Sequence, residues 1–461
     1  MTSDRGIVEP AVLLVDNRVR DLDGAALIAS LVRRLGVECH LEPLEAYRGV
    51  LAAYRPGLIV FNHLTASHLV EWSKRLADMN VLTAVLPNEG IAYDPDVLNF
   101  LAGRHHGDAH IDHMFSWNEP YRRGVLAELN KPSMKVEVTG VPRFDFYFKP
   151  WSSIFEQPRH ANGGRPVVLV CTNFVTAHYH ELPRNEMDKF FAAWAGRIPL
   201  YKDYVAAVAA HWRARNRVTA YLEALVAADK YEIIVRPHPS ENPEAYQRWF
   251  GGLTQAQRAH VRIDTQSNIT SLILTCDIEI SCETCTTAME AWIAGKPTIE
   301  LIFEQHPLWY REVHARCNVP CDDPAKLVDL VEAQLREPGQ PEKRELRRQH
   351  LAEWCATPAG DTSLRIAQTM VDALRAKKPV DWSKLTASDY RRAAKLHALR
   401  KLGLPYHFDP LLPLKRTLFG DRYAIKTRAY RKSITPRDVA AAQEKFERLH
   451  GVRETRLRRS A

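Results

Sequence analysis

One pattern constrains this chain more than any other, and it occurs twice: short unbroken apolar runs separated by stretches of helical periodicity. In the first 160 residues the runs are AVLLVDN (11–17), VECHLEPL (37–44), GLIVFNH (57–63), VLTAVLP (81–87), HMFSW (113–117) and KVEVTG (135–140). Between them, residues 24–35 and 66–78 place apolar side chains at helical spacing. A strand that is apolar along its whole length is buried on both faces, so these runs predict a parallel sheet covered by helices. The stretch KPWSSIFEQPRHANGGR (149–165) reads as a linker from its Pro, Gly and polar content. Beyond it the pattern restarts with PVVLVCTNF (166–174), EIIVRPHP (232–239), HVRID (260–264), DIEISC (277–282) and PTIELIF (297–303), with helices expected over 216–230 and 286–294. The expectation is an α/β chain of two domains, 1–160 and 161–375, followed by a helical tail over 376–461 with helical patches at 388–402 and 437–450. Two such domains would leave a cleft at the carboxyl ends of their strands, where open α/β sheets bind ligands.

Charge separates the tail from the rest. Residues 376–461 hold 22 Lys and Arg against 8 Asp and Glu, whereas residues 1–375 hold 41 against 47. A basic tail on a mildly acidic body suggests an anionic partner, a membrane surface, a nucleic acid or an acidic polymer, and the plainer alternative is a C-terminal helical cap packing on the first domain with its charges solvated. No aromatic stacking motif accompanies the basic residues, which argues against nucleic acid. No apolar stretch reaches the ~20 residues a membrane span needs. The beginning MTSDRGIVEP has no apolar core, so no export signal is expected and the eight cysteines are expected as reduced thiols in the cytoplasm.

Several common chemistries lose their support at once. The sequence contains no G-x-G-x-x-G after the first strand, no G-x-x-x-x-G-K-[ST] and no H-E-x-x-H. Cys282 and Cys285 form a C-x-x-C without a second pair at zinc spacing, so the chain is expected to need no metal or other cofactor. Asp94-Pro-Asp96 has D-x-D spacing and reads as a turn.

Four segments at strand ends carry the candidate residues. Arg236-Pro-His238-Pro239-Ser240-Glu241 follows the run EIIV; a forked cation and an imidazole held by prolines suit a phosphate, and the plainer alternative is a turn with Arg236 paired to Glu241. Ser281 through Thr287, with Glu290 further on, joins a strand to a helix capped by Thr284 or Thr286, where hydroxyls and free N–H groups favour an anion. Asn88-Glu89-Gly90 sets a carboxylate beside a glycine turn, suited to a general base or to holding an acceptor hydroxyl. Arg143 and Asp145, in TGVPRFD, are expected to pair where the chain leaves the first domain. Thr172, Asn173 and the loop bearing His178 and His180 are placed at the same carboxyl edge.

The ordered strings LPNEGIAYD, TGVPRFD, VRPHPSEN and CETCTTAMEAWIAGKPT, spread over residues 80–300, resemble bacterial surface carbohydrate biosynthesis proteins related to β-Kdo transferases. Their E-G and H-P pairs resemble motifs of transferases that use CMP-activated sugars. The resemblance implies two Rossmann-like domains facing a cleft, the glycosyltransferase-B (GT-B) architecture. It implies transfer of Kdo or a related ulosonic acid from a CMP donor to a capsule, O-antigen or lipopolysaccharide acceptor. On that resemblance His238 and Arg236 hold the CMP phosphate, Ser281, Thr286 and Thr287 cap it, and Glu290 takes the ribose hydroxyls. Glu89 is the acid of the E-G pair, whereas Asn88 stands where the sialyltransferase pattern has a second acid. Asn173 is the catalytic candidate of the loop after Cys171, a loop that offers no Asp before Asp188 for a covalent adduct.

Three alternatives stand beside this, of which a UDP-sugar transferase or 2-epimerase is the weakest enzyme variant. A CDP-glycerol or CDP-ribitol phosphotransferase would use a similar R-x-H-P loop, and a non-catalytic scaffold of a polysaccharide assembly would need the tail and not the cleft. For the enzyme, the expected setting is the inner face of the cytoplasmic membrane, with a lipid-linked glycan acceptor and the tail on anionic lipid, aided by Trp382, Tyr406, Phe408, Phe419, Tyr423 and Tyr430.

Overall fold

The computed structural model describes residues 8–103, 107–129, 131–157, 164–338, 341–419 and 434–459. Twelve strands form two six-stranded sheets, and every pairing is parallel. The first sheet comprises β1 (Ala11–Val15), β2 (Cys39–Pro43), β3 (Leu58–Phe61), β4 (Leu82–Val85), β5 (His113–Ser116) and β6 (Lys135–Val138), in the order β2-β1-β3-β4-β5-β6. The second comprises β7 (Val167–Cys171), β8 (Glu232–Arg236), β9 (Val261–Ile263), β10 (Ile278–Cys282), β11 (Thr298–Leu301) and β12 (Val319–Cys321), in the order β12-β11-β10-β7-β8-β9. Both are doubly wound. The second has the dinucleotide-fold strand order, and the first reverses direction between β1 and β3, as flavodoxin-like sheets do. The expected α/β class with two Rossmann-like domains is therefore the architecture found.

The inner strands are buried because they are apolar on both faces, whereas the edge strand β6 has no buried residue. All five residues of β1 are buried, as are all four of β3. Crossover helices cover the sheets: Ser67–Asp78 does so with one stripe, burying Leu69, Val70, Trp72, Ser73 and Leu76, whereas Leu22–Arg34 is buried continuously from Gly24 to Val32. One strand of the structure was not expected from the sequence: β12, only three residues long with Pro320 at its centre, has no apolar run to announce it. The helix expected over 216–230 starts earlier, at Tyr204, where Asp203 accepts a hydrogen bond from the Ala206 N–H. Asp94-Pro95-Asp96 is not a turn. It starts the helix Pro95–Gly103, and Asp94 Oδ1 caps it by accepting from the Val97 N–H at 3.0 Å.

By its contacts the chain divides into two compact units: Met1–Ile91, Leu101–Asp145 and Trp354–Ala461 form one, and Ala92–Phe100 with Phe146–Glu353 the other. The first sheet lies in the first unit and the second sheet in the second. The residues expected as a linker include the short helix Ser152–Phe155 within the second unit; residues 158–163 lie outside the described residues. The tail helices Ala387–Lys401 and Pro436–Arg459 pack on the first unit, against Val50–Tyr54 and Leu22–Arg34 respectively. Arg75 clasps the buried Asp389 with two bonds of 2.9 and 2.5 Å, and Lys445 reaches Asp23 at 2.8 Å. Tyr423, Tyr430, Lys432 and Ser433 lie outside the described residues.

Candidate functional site

Open α/β sheets bind ligands where the strand order reverses, at the carboxyl ends of the strands. In the second unit that point lies between β7 and β10. Three neighbouring strands, β10, β7 and β8, end there in Glu283-Thr284, Thr172-Asn173 and Arg236-Pro237-His238.

The β8 loop is held by one buried carboxylate. Glu241 accepts from the Phe174 N–H at 2.8 Å, the His238 N–H at 3.2 Å, Thr172 Oγ1 at 2.9 Å and Tyr246 Oη at 2.7 Å. Burial pushes its carboxyl upward and these donors oppose the shift. Arg236 is not its partner, contrary to the turn pairing considered from the sequence. The Arg236 guanidinium donates instead to Asp264 O at 2.9 Å and reaches Asp264 Oδ1 at 3.5 Å. It is buried, and burial lowers its proton affinity against the pull of Asp264. The physical reason is register: Arg236 ends β8 beside β9, whose exit places Asp264 against it. His238 is half-buried, and its Nδ1 accepts from the Ser240 N–H at 3.1 Å, so the neutral ring carries its proton on Nε2.

At β10 the chain leaves the strand through two consecutive left-handed residues, Glu283 (φ 54°) and Thr284 (φ 57°). Asn173 Nδ2 donates to Glu283 O at 3.0 Å, bridging β7 and β10 across the reversal point. Ser281 is fully buried and donates to Glu300 Oε2 at 3.0 Å, and Thr287 donates to Glu279 Oε1 at 2.8 Å. These two hydroxyls therefore brace buried carboxylates and do not supply the edge, a correction to their expected role. Inward alternation along β10 accounts for Ser281. The helix Thr287–Ile293 has Thr286 as its N-cap position, with no cap bond from the side chain. Thr284, the other cap candidate, instead accepts from the Arg311 N–H at 3.0 Å. Glu290 is buried and accepts from Tyr147 Oη at 2.5 Å.

In the first unit the reversal point lies between β1 and β3. A cavity of about 220 Å³ opens there, lined by Asp16, Arg20, Asn62, His63, Asn88 and Glu89 among others. Arg20 holds Asp21 with bonds of 2.8 and 3.3 Å and reaches Glu89 Oε1 at 3.2 Å. Asn62 Nδ2 donates to Asn88 Oδ1 at 2.8 Å. Gly90 is required by a close approach: a Cβ there would lie 2.8 Å from Trp117 Cβ and Cγ. Carboxylates, amides and one neutralised guanidinium suit hydroxyl groups better than an anion. Arg20, Asn62 and Asp16 were not singled out from the sequence, and only their places just past β1 and β3 could have marked them.

Arg143 and Asp145 do not meet as expected. Arg143 lies over the Trp117 ring, 5.0 Å from its centroid, and Asp145 accepts from the Thr362 and Ser363 N–H groups at 3.1 and 2.7 Å. All eight cysteines are buried free thiols; burial raises Cys285 to about 12 and Cys282 well above its usual value, which leaves the C-x-x-C inert.

No family model matches the chain, and no curated protein matches it. Solved structures similar to it include a glycosyltransferase from Rickettsia africae (10% identity, TM-score 0.43, 80% of this chain and 99% of that one). They also include a UDP-GlcNAc 2-epimerase from Neisseria meningitidis bound to UDP-GlcNAc (13%, 0.44, 78% and 100%). The wall teichoic acid polymerase TagF is a third (11%, 0.46, 79% and 88%). With TM-scores below 0.5, these likenesses add nothing to what the strand orders of the two sheets already show.

Proposed function

We propose that this chain is a glycosyltransferase of GT-B architecture that transfers a sugar from a CMP-activated donor, of the Kdo or related ulosonic acid class, to a surface-polysaccharide acceptor. One observation carries the reading: each of two Rossmann-like sheets bears a constellation of polar side chains at its own reversal point. In the second unit His238 is assigned to the donor phosphate, with Asn173 and Thr286 beside it, and Glu290 to the ribose hydroxyls. Arg236 supports the loop from below through Asp264. A CMP leaving group has one bridging phosphate, whose developing charge N–H donors can offset. In the first unit Glu89 is assigned to the acceptor hydroxyl, with Arg20 holding its carboxylate in place. Asn88, already bonded to Asn62, orients the loop.

The tail is assigned to anionic lipid, where a lipid-linked acceptor would be held. Leu402, Leu411, Leu414 and Leu418 are exposed and belong to the tail over 376–461, which holds 22 Lys and Arg against 8 Asp and Glu, and this combination favours that surface. Among the described residues no helix is long and apolar enough to cross a membrane.

Calorimetric titration with CMP, CDP, UMP and UDP tests the donor. CMP is expected to bind, and His238→Ala to weaken it by about tenfold or more, the worth of one charge-assisted hydrogen bond. Preference for UDP would overturn the CMP assignment, and binding of none of the four would overturn the transferase reading.

A further inference from the structure

The resemblance and the spacing of the sequence assign no role to Glu283, and the structure singles it out. It lies one residue beyond β10, is only 7% exposed, and its carboxyl makes no hydrogen bond or ion pair among the described residues. Every other group at this edge named above has a bonded partner, with the exception of Thr286. The backbone around Glu283 is fixed from three directions. Asn173 donates to its carbonyl, the Thr284 N–H donates to Glu300 Oε1 at 3.2 Å, and the Arg311 N–H donates to Thr284 Oγ1. A left-handed pair of non-glycine residues persists only where its surroundings over-determine it, and such pairs concentrate at ligand sites.

We propose that Glu283 presents a hydrogen-bond-donating carboxyl to an anionic phosphate oxygen bound at the carboxyl edge of the second sheet. The inference rests on reading that edge as the nucleotide site. β10, β7 and β8 are adjacent, so Glu283, Asn173 and His238 stand on consecutive strand ends roughly 5 Å apart per strand. The groups that bear on Glu283 are mostly acidic. Glu300 on β11 and Glu304 just past it both disfavour its charge, and the Cys282 thiol beside it retains its proton. Glu304 is itself engaged by Arg213, with Arg217 and His306 near it, and Arg311 approaches through its backbone. Burial first, then Glu300 and Glu304, push the Glu283 carboxyl up to about 8. At neutral pH it therefore holds a proton. An ionised carboxylate here would repel a phosphate, whereas a protonated one donates to it.

The test uses the full chain, CMP, and inorganic pyrophosphate as a base-free probe. Between pH 7 and pH 9 the Kd of the wild type should rise by about tenfold as the carboxyl ionises. Glu283→Gln, which keeps an uncharged donor, should bind within about threefold of wild type at pH 7 and lose most of that rise. Titration of the wild type in two buffers of different ionisation heat should show uptake of about half a proton at pH 8. An unchanged pH dependence in Glu283→Gln, or no proton uptake by the wild type, overturns the role of Glu283 while leaving the nucleotide site standing. Failure of both CMP and pyrophosphate to bind the wild type overturns the site and this role together.

Discussion

A carboxylate taken out of water is costly unless donors surround it, and Glu241 meets that demand with four donors from four residues. Removing it would leave two backbone N–H groups and the Thr172 hydroxyl without their acceptor, while Tyr246 Oη keeps Thr172 Oγ1 at 3.0 Å. Glu241→Ala is expected to lower stability by about 3 kcal/mol and to weaken nucleotide binding through the loosened His238 loop. Urea unfolding and titration with CMP read the two effects; unchanged stability would show that water replaces the carboxylate. The plainer of the two sequence readings, a surface turn with Arg236 paired to Glu241, is not what forms: Glu241 is buried and Arg236 turns to Asp264. Adjacency along the chain favours Arg236, and only the register of β8 against β9 brings Asp264 to that guanidinium.

At the scale of elements, the join between TGVPRFD and the helix Thr362–Ala376 decides how the far end of the first unit closes. Gly140 turns with φ +90°, and a Cβ there would lie 3.1 Å from Cys355 O. Asp145 then meets the first two N–H groups of that helix from more than two hundred residues upstream. Carboxylates stabilise helix N-termini, and burial raises this one to about 6 against the pull of Ser363 and Thr362. Asp145→Ala is expected to cost about 2 kcal/mol, read as a shift in the urea midpoint with the slope unchanged. The basic tail was legible as helices, and a helical cap packing on the first domain was one of its two readings; the helices Ala387–Lys401 and Pro436–Arg459 do pack there, but the individual ties were not legible. Lys and Arg patterns announce a solvated face, and the ties of Arg75 to Asp389 and Lys445 to Asp23 arise only once the first unit has folded.

For the molecule as a whole, acid and base stability follow from two opposed groups in the second unit. Burial lowers His211 and His314 to about 3 and His350 to about 4, and raises Glu279 and Glu283 to about 8 and Glu300 to about 7. The histidines bind protons in the unfolded chain below its ordinary 6.5, so they withdraw stability as pH falls from there. The carboxyls ionise in the unfolded chain above 4.5, so they withdraw stability as pH rises through their folded values. Between 4.5 and 6.5 the two slopes oppose each other, each group worth up to ~1.4 kcal/mol per pH unit. The second unit is therefore expected to be most stable in a plateau across that window and to lose stability from 6.5 to about 8, where the folded carboxyls ionise. Thermal unfolding at half-unit steps of pH would show it, and a maximum at pH 8 or above would contradict it.

By itself the sequence determined the two sheets, because a strand apolar on both faces must be parallel and covered, and such runs occur in two series. It also determined that polar residues follow β4, β7, β8 and β10, since a strand ends where its apolar run gives way. It did not determine which of those residues meet. Ser281 and Thr287 looked like anion ligands and brace buried glutamates; Glu283 lay in the same marked segment without a role of its own, and Arg20 and Asn62 carried no local mark. Strand order decided this, and strand order is a property of non-local pairing. β1 beside β3, β3 beside β4 and β7 beside β10 are chosen by how crossover helices pack, and those choices bring residues 20 and 89, and 173 and 283, into contact.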